Sequence, residues 1–386
     1  MPELYLGSSP HIGTPIRTQM IMAQVIIALM PVTIFGIVIY GLHALEVIVV
    51  SVAAAVAGEA LFRLVTKQEN RIGDLSAVVT GLLLALVLPP GIPLFYTALG
   101  AVFAVVVAKE FFGGLGANVF NPALIGRAFL MMSFPAAMTS WEKPKAMFAA
   151  ISGGAVSGAV NSAVEAVSGA SISAVTLDSI SGATPLGIMK MGGAISDVGR
   201  QFAVSGFAGG SDYFSMLKTL FFGNHGGTIG ESSILLILIG FLYLFFTKTI
   251  DWRAPVSMVL STFLLSLCIG IDPLFSLLAG GLLFGAAFMA TDYTTAPLTA
   301  KGKIIFGIGA GIVVVLVRRW GAYPEGVTYG ILIMNAVTPF LNRLLQKKYG
   351  FVKAPKKPPA AKANAVAKAN EVAKANTVAQ ANEVAK

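Results

Sequence analysis

QMIMAQVIIALMPVTIFGIVIYG, residues 19–41, contains no Asp, Glu, Lys or Arg. As a helix rising 1.5 Å per residue, it reaches across a hydrocarbon core of about 30 Å. It follows Arg17 and is too long for the apolar part of a signal peptide, so it reads as a retained first span. Nine more runs of this kind lie outward from it, at residues 44–64, 75–90, 93–112, 122–139, 232–247, 253–270, 273–291, 303–320 and 327–345. Several junctions carry Pro and Gly. Pro89-Pro90-Gly91-Ile92-Pro93 suits a tight turn at a membrane face. The fold class expected is an all-α, polytopic membrane bundle of about ten spans.

Composition agrees. The 386 residues are 56% hydrophobic and 12% charged, about half the charged fraction usual in a soluble domain. Forty-two glycines suit helices packed closely in lipid. Net charge is +9, of which residues 351–386 supply +5 through seven Lys and two Glu. That pattern points to anionic lipid headgroups as the partner and away from nucleic acid. One cysteine cannot hold an iron–sulfur cluster, and His11, His43 and His225 have no metal-site spacing. Cys268 reads as a small buried hydrophobe.

The chain divides into a short N-terminal segment (1–18), five spans (19–139), a long connection (140–231), five more spans (232–348) and a tail (349–386). Lys and Arg set the orientation. Arg63, Lys67, Arg71, Lys109, Lys248, Arg253, Lys301 and Lys303 follow the even-numbered spans, and the short connections after spans one, three and seven have none. Both termini are therefore expected in the cytoplasm and residues 140–231 outside it. Arg318 and Arg319 break the rule and are expected to snorkel to headgroups or to face a partner subunit. The tail repeats KANEVA, KANTVA and QANEVA, a six-residue period that matches no helical repeat and reads as a solvated segment.

No GxxxxGK[ST] phosphate loop and no clustered nucleophile set occurs, and Gly307-Ile-Gly309-Ala-Gly311 lies within a span, where it reads as helix packing. Three polar stretches remain. Asp178-Ser-Ile-Ser181-Gly182-Ala183-Thr184-Pro185-Leu186, in the long connection, is either an ordinary turn or an accessible attachment point at Thr184. Gly113-Gly-Leu-Gly-Ala-Asn118-Val-Phe-Asn121-Pro122-Ala-Leu-Ile-Gly-Arg127 joins spans four and five. Arg127 needs a partner there, and Glu110 is the acid nearest in sequence. Thr291-Asp292-Tyr293-Thr294-Thr295 offers hard oxygen ligands suited to Na⁺ or to a cofactor edge, or else a capped helix end. Glu59, within span two beside Ala55 and Gly58, is an ion-path candidate.

Together these stretches resemble the D subunits of the Rnf complex, the ion-translocating ferredoxin:NAD⁺ oxidoreductase. They are similar as well to the B subunits of the Na⁺-translocating NADH:quinone oxidoreductase. The resemblance covers about residues 15–350. It implies FMN joined to Thr184 by a phosphoester, making the chain in chemical terms a phosphoprotein, with Asp178, Ser181, Gly182 and Ala183 as recognition context. It implies a flavin transferase that installs the FMN, and a second, noncovalent flavin whose residues the sequence does not place. It also implies iron–sulfur, flavoprotein and membrane subunits as partners, with electrons passing from ferredoxin to NAD⁺ while Na⁺ or H⁺ crosses the membrane. A tethered flavin would supply the redox carrier that this chain's own residues lack. Two rival readings are a secondary transporter or channel without a redox cofactor and a structural assembly subunit. The short segment before Gln19 favours the Rnf type over the quinone reductase type.

Overall fold

The computed structural model describes residues 18–68, 72–141, 184–190, 213–223 and 225–345. The N-terminal segment, most of the long connection with Asp178, Ser181, Gly182 and Ala183, and the tail repeats lie outside them. Helices make up the structure, and no strand occurs among the described residues. The first five passes are α1 (Thr18–Tyr40), α2 (Leu42–Val65), α3 (Ser76–Leu86), α4 (Leu94–Val106) and α5 (Pro122–Ser133). Two short helices follow, α6 (Pro185–Lys190) and α7 (Tyr213–Phe222). The remaining passes are α8 (Ile234–Phe246), α9 (Arg253–Ile269), the pair α10 (Pro273–Leu278) and α11 (Leu282–Phe284), α12 (Ala300–Trp320) and α13 (Val327–Leu345).

Among the described residues, α1, α2, α12 and the stretch Leu94–Phe112 are long and apolar enough to cross a membrane unaided. α3, α5, α8 and α9 are apolar but shorter. The 13 residues of α8 rise about 20 Å, less than a hydrocarbon core of about 30 Å. Large apolar side chains such as Ile27, Ile34, Leu61, Leu64, Leu260 and Leu264 face outward. In water this surface would be an aggregation liability, and in lipid it is solvated. The protein is a polytopic membrane protein.

Contacts between helix termini define two ends. At one, Tyr40 donates to His225 O (3.1 Å) and Ile229 N–H donates to Leu88 O (3.2 Å). At the other, Thr249 meets Gln24, and Tyr293 donates to Thr249 O. The passes alternate between these ends. α1 pairs with α8, α2 packs on α3 and α4, and α4 packs on α5. The second group follows the same order, with α9 against α10 and α12, and α12 against α13. Five is an odd number, so the second group runs opposite to the first.

Small residues permit the close approaches. A Cβ at Gly307 would fall 2.4 Å from Ala254 O, and one at Gly311 would fall 2.7 Å from Met258 O. The glycines expected as helix packing in α12 do press against α9.

Four expectations need correction. The eighth run, 273–291, is not one helix. α10 ends at Leu278, and Gly280 follows with a φ of 73°. α11 then continues into a π-helical turn, Gly285–Met289. The fifth run, 122–139, breaks at Phe134, because Pro135 has no N–H to continue the ladder. Cys268 is exposed, on the lipid side of α9. Arg318 does not snorkel. It turns inward and donates to Ser276 O, to Ser276 Oγ (3.1 Å) and to Ala279 O (3.3 Å), which caps the broken end of α10.

Candidate functional site

Thr184 is the N-cap of α6. Its Oγ1 accepts from Gly187 N–H (3.1 Å), and Pro185 occupies the first helical position, where no N–H is needed. Leu186 packs with Met216, Leu220, Phe275 and Ala279, so α6 rests on α7 and on the broken pass. Lys190 donates to Val317 O (3.2 Å) and Tyr323 O (2.6 Å), tying α6 to the α12–α13 turn. Burial pulls the Lys190 ammonium below its ordinary pKa. Thr184 is buried, which corrects the expectation of an accessible attachment point, and Gly280 lies between Leu186 and Arg318.

Beside this anchor lies a quartet of charges: Arg127 on α5, Glu231 before α8 and Glu325 before α13, all buried, and Arg318 on α12, half-buried. Arg127 forms an ion pair with Glu325. This corrects the expectation for Arg127: its partner is 198 residues away and is not Glu110. Glu231 interacts electrostatically with Glu325, Arg127 and Arg318, but it forms no ion pair among the described residues.

A second charged set occupies the Asp292 end. Lys109 Nζ reaches Glu59 Oε2 (2.9 Å) and Ser76 Oγ (2.6 Å). Arg63 Nε lies 3.5 Å from Glu59 Oε1 and 3.2 Å from Glu110 Oε2. The order Lys109–Glu59–Arg63–Glu110 alternates sign, which is how four buried charges can share a dry environment. Glu110 is placed here by the turn that follows α4. That turn bends at Gly113 and Gly114, both at positive φ, before α5 starts at Asn121-Pro122.

Between this ladder and the end of the eighth pass is a cleft of about 70 Å³. Val79, Leu83 and Phe288 make its apolar wall, and Lys109, Asn118, Asn121 and Asp292 add polar groups. Asp292 Oδ2 accepts from Thr294 Oγ1 and Thr295 Oγ1, each at 3.1 Å, and Asn118 Nδ2 donates to Thr294 Oγ1 (2.9 Å). Thr291 also lines the cleft, and its hydroxyl donates to Ala287 O (2.8 Å). The Asp292 stretch is thus a hydrogen-bonded helix exit.

The structure brings Glu59 and Glu110 together, sends Arg127 to the opposite end, and sets Asp292 on a cleft near Lys109. Sequence reasoning missed Glu231, Glu325 and Lys109 as partners. Their only signal was that each is a charge beside an apolar run.

Thr184 fits the chemistry of a phosphoester anchor. Its oxygen accepts a hydrogen bond, which an ester oxygen can keep doing, and its hydroxyl proton donates to no described group.

A family model described as the NQR2, RnfD, RnfE family matches residues 5–350. The D subunit of the proton-translocating ferredoxin:NAD(+) oxidoreductase complex of Clostridium ljungdahlii is 41% identical over 353 residues, covering 89% of this chain and 96% of that protein. The D subunit of the Na(+)-translocating ferredoxin:NAD(+) oxidoreductase complex of Acetobacterium woodii is 37% identical over 356 residues, covering 92% and 98%. The D subunit of the ion-translocating oxidoreductase complex of Stutzerimonas stutzeri is 37% identical over 339 residues, covering 86% and 91%.

Proposed function

The chain belongs to the NQR2, RnfD, RnfE family, and from that premise we propose that it is the D-type membrane subunit of an ion-translocating ferredoxin:NAD⁺ oxidoreductase complex, carrying FMN on Thr184. The observation that carries this reading is the anchor itself. Thr184 caps a short helix pinned to the bundle by Leu186 and Lys190, with its oxygen accepting from Gly187 N–H and donating to no group among the described residues.

FMN bound there supplies one- and two-electron redox chemistry. This chain's residues hold its place. Gly187 N–H would hold the Thr184 oxygen, and Lys190 and the apolar face of α6 fix the helix. Ser181, Gly182 and Ala183 precede the anchor as the stretch that a flavin transferase reads. Electrons reach the anchor from iron–sulfur and flavoprotein subunits of the same complex. The Thr184 end faces out of the cytoplasm and both termini face in, because Lys67, Lys248, Arg253, Lys301 and Lys303 gather at the other end. The Asn118, Asn121 and Asp292 cleft has polar groups suited to a flavin edge. The coupled Na⁺ or H⁺ passes along polar groups of the bundle, among which Glu59, Glu110, Arg127 and Asp292 are candidates.

A secondary transporter without a redox cofactor is the second reading. The interrupted eighth pass and the opposed five-pass halves favour it. One experiment separates the two. The chain is co-expressed with a flavin transferase, denatured, and measured by intact mass and in-gel fluorescence beside Thr184→Ala. A fluorescent wild-type band heavier by one FMN less water, and dark in the variant, supports the redox subunit. A dark wild-type chain beside a flavinylated control chain sinks it and favours the transporter.

A further inference from the structure

Four titratable side chains crowd the Thr184 end, and two of their carboxylate oxygens are left over. Glu325 Oε2 takes Arg127, while Glu325 Oε1 and Glu231 Oε1 are buried and have no hydrogen-bond partner among the described residues. Glu231 is 5% exposed and Glu325 8%. A Cβ at Gly281 would fall 2.5 Å from Glu231 Oε1, so the carboxylate occupies space that only glycine leaves there. Beside Glu325 and Arg127, Tyr323, Thr328 and Tyr329 line a cavity of about 10 Å³, roughly the size that holds one water.

The groups facing Glu231 come from every packed element. They are Glu325 from the α12–α13 turn, Arg127 from α5, Arg318 from α12, and His225 and Thr228 from the segment before α8. Gly227 lies between His225 Nδ1 and Glu231 Oε2. An isolated carboxylate in such a place is costly unless it is paired or neutralised. A metal ion would need several ligands, and among the described residues no group of three or more His, Cys, Asp or Glu could hold one. A proton needs only one oxygen.

We propose that the Glu231–Glu325 pair is a proton-binding site, holding one exchangeable proton on Glu231. The step is simple: the carboxylate takes H⁺ from water to become a carboxyl and returns it to water, and no bond to carbon changes. Glu325, anchored by Arg127, is the fixed negative neighbour. The site lies one residue from Gly280, which touches Leu186 of the anchor helix, so a proton is held close to Thr184. The inference rests on these charges alone and stands whether or not Thr184 carries a flavin.

The test is infrared spectroscopy of the full chain in lipid nanodiscs. It is done in the Thr184→Ala background, so that a failure of the flavin reading cannot be mistaken for a failure here. A protonated-carboxyl band that shifts in D₂O, bleaches as pH rises and is lost in Glu231→Gln is expected. In Glu325→Gln the midpoint falls by about one unit or more, because two guanidiniums then face Glu231 without a competing acid. If Glu231→Gln does not fold, Gly281→Ala reads the same site: a moved midpoint supports the proposal and an unmoved one overturns it. A band that survives Glu231→Gln overturns it. So does a band that Na⁺ at fixed pH bleaches as fully as alkali does, since the site then binds a metal cation.

Discussion

Two sets of four charges, each with two acids and two bases and all buried but the half-buried Arg318, lie at opposite ends of this bundle and are built on different plans. At the Asp292 end, Lys109, Glu59, Arg63 and Glu110 alternate in sign, and each charge has an opposite neighbour at 3.5 Å or less. At the Thr184 end, Arg127 and Glu325 pair, Arg318 spends its donors on the carbonyls of a broken helix, and Glu231 has no ion pair among the described residues. A closed ladder holds structure, because removing any rung leaves a buried charge uncompensated. An open set keeps a carboxylate available to exchange a proton. Buried charge alone therefore does not mark function. What separates the two sets is whether each charge is answered.

The largest effect should come from breaking the ladder. Lys109→Met leaves Glu59 with only the more distant Arg63 and should cost about 3–5 kcal/mol. It would be measured as a loss of thermal stability in detergent or as failure to accumulate. Glu231→Gln, which removes no ion pair, should stay within about 1 kcal/mol of wild type in the same assay. Equal losses in the two variants would erase the distinction between the ends.

Arg318→Met should fall between them, at about 2 kcal/mol, because it strips the α10 carbonyls of a charged donor. Hydrogen exchange should rise along Pro273–Leu278 and along α6, which rests on that pass. Exchange rising at α10 while α6 stays protected would show that the anchor helix does not depend on the cap.

The smallest effect belongs to the half-buried charges around Asp251. Burial alone would raise the pKa of Asp251, but the Arg253 N–H and the Lys303 ammonium outweigh it and hold the carboxyl below its ordinary value. The sign follows. A depressed carboxyl adds stability above the ordinary carboxylate range and loses it as pH falls through the folded value. Asp251→Asn should cost under about 1 kcal/mol at neutral pH, and the two melting curves should converge in acid. A gap that persists in acid would mean that Asp251 acts through packing.

Much of the fold was legible because lipid imposes a simple rule: backbone polar groups must be satisfied within the segment, so long apolar runs become helices. The positions of the passes, the turn at Pro89-Pro90 and the glycine packing of α12 follow from residues read locally. The interruption of the eighth pass was not legible, because 273–291 holds no charge and the break is marked only by Gly280-Gly281, with Gly280 at a positive φ. Cys268 was misread for a related reason. The apolar run around Cys268 does not by itself say which face of α9 meets lipid; the buried Thr262 and Ser266 lie on the other face.

The sequence by itself determined the membrane class and the polar stretches, since each depends on neighbours in the chain, while Thr184 as an anchor came from the family resemblance. Only the tertiary structure decided which charges meet. Arg127 passes over Glu110, close in sequence, for Glu325, 198 residues away. Glu59 finds Lys109 across α2 and α4. Glu231 ends with a carboxylate oxygen that nothing described answers. The reason is physical. A buried charge is governed by what lies within a few ångströms once water is excluded, and chain separation sets no such distance.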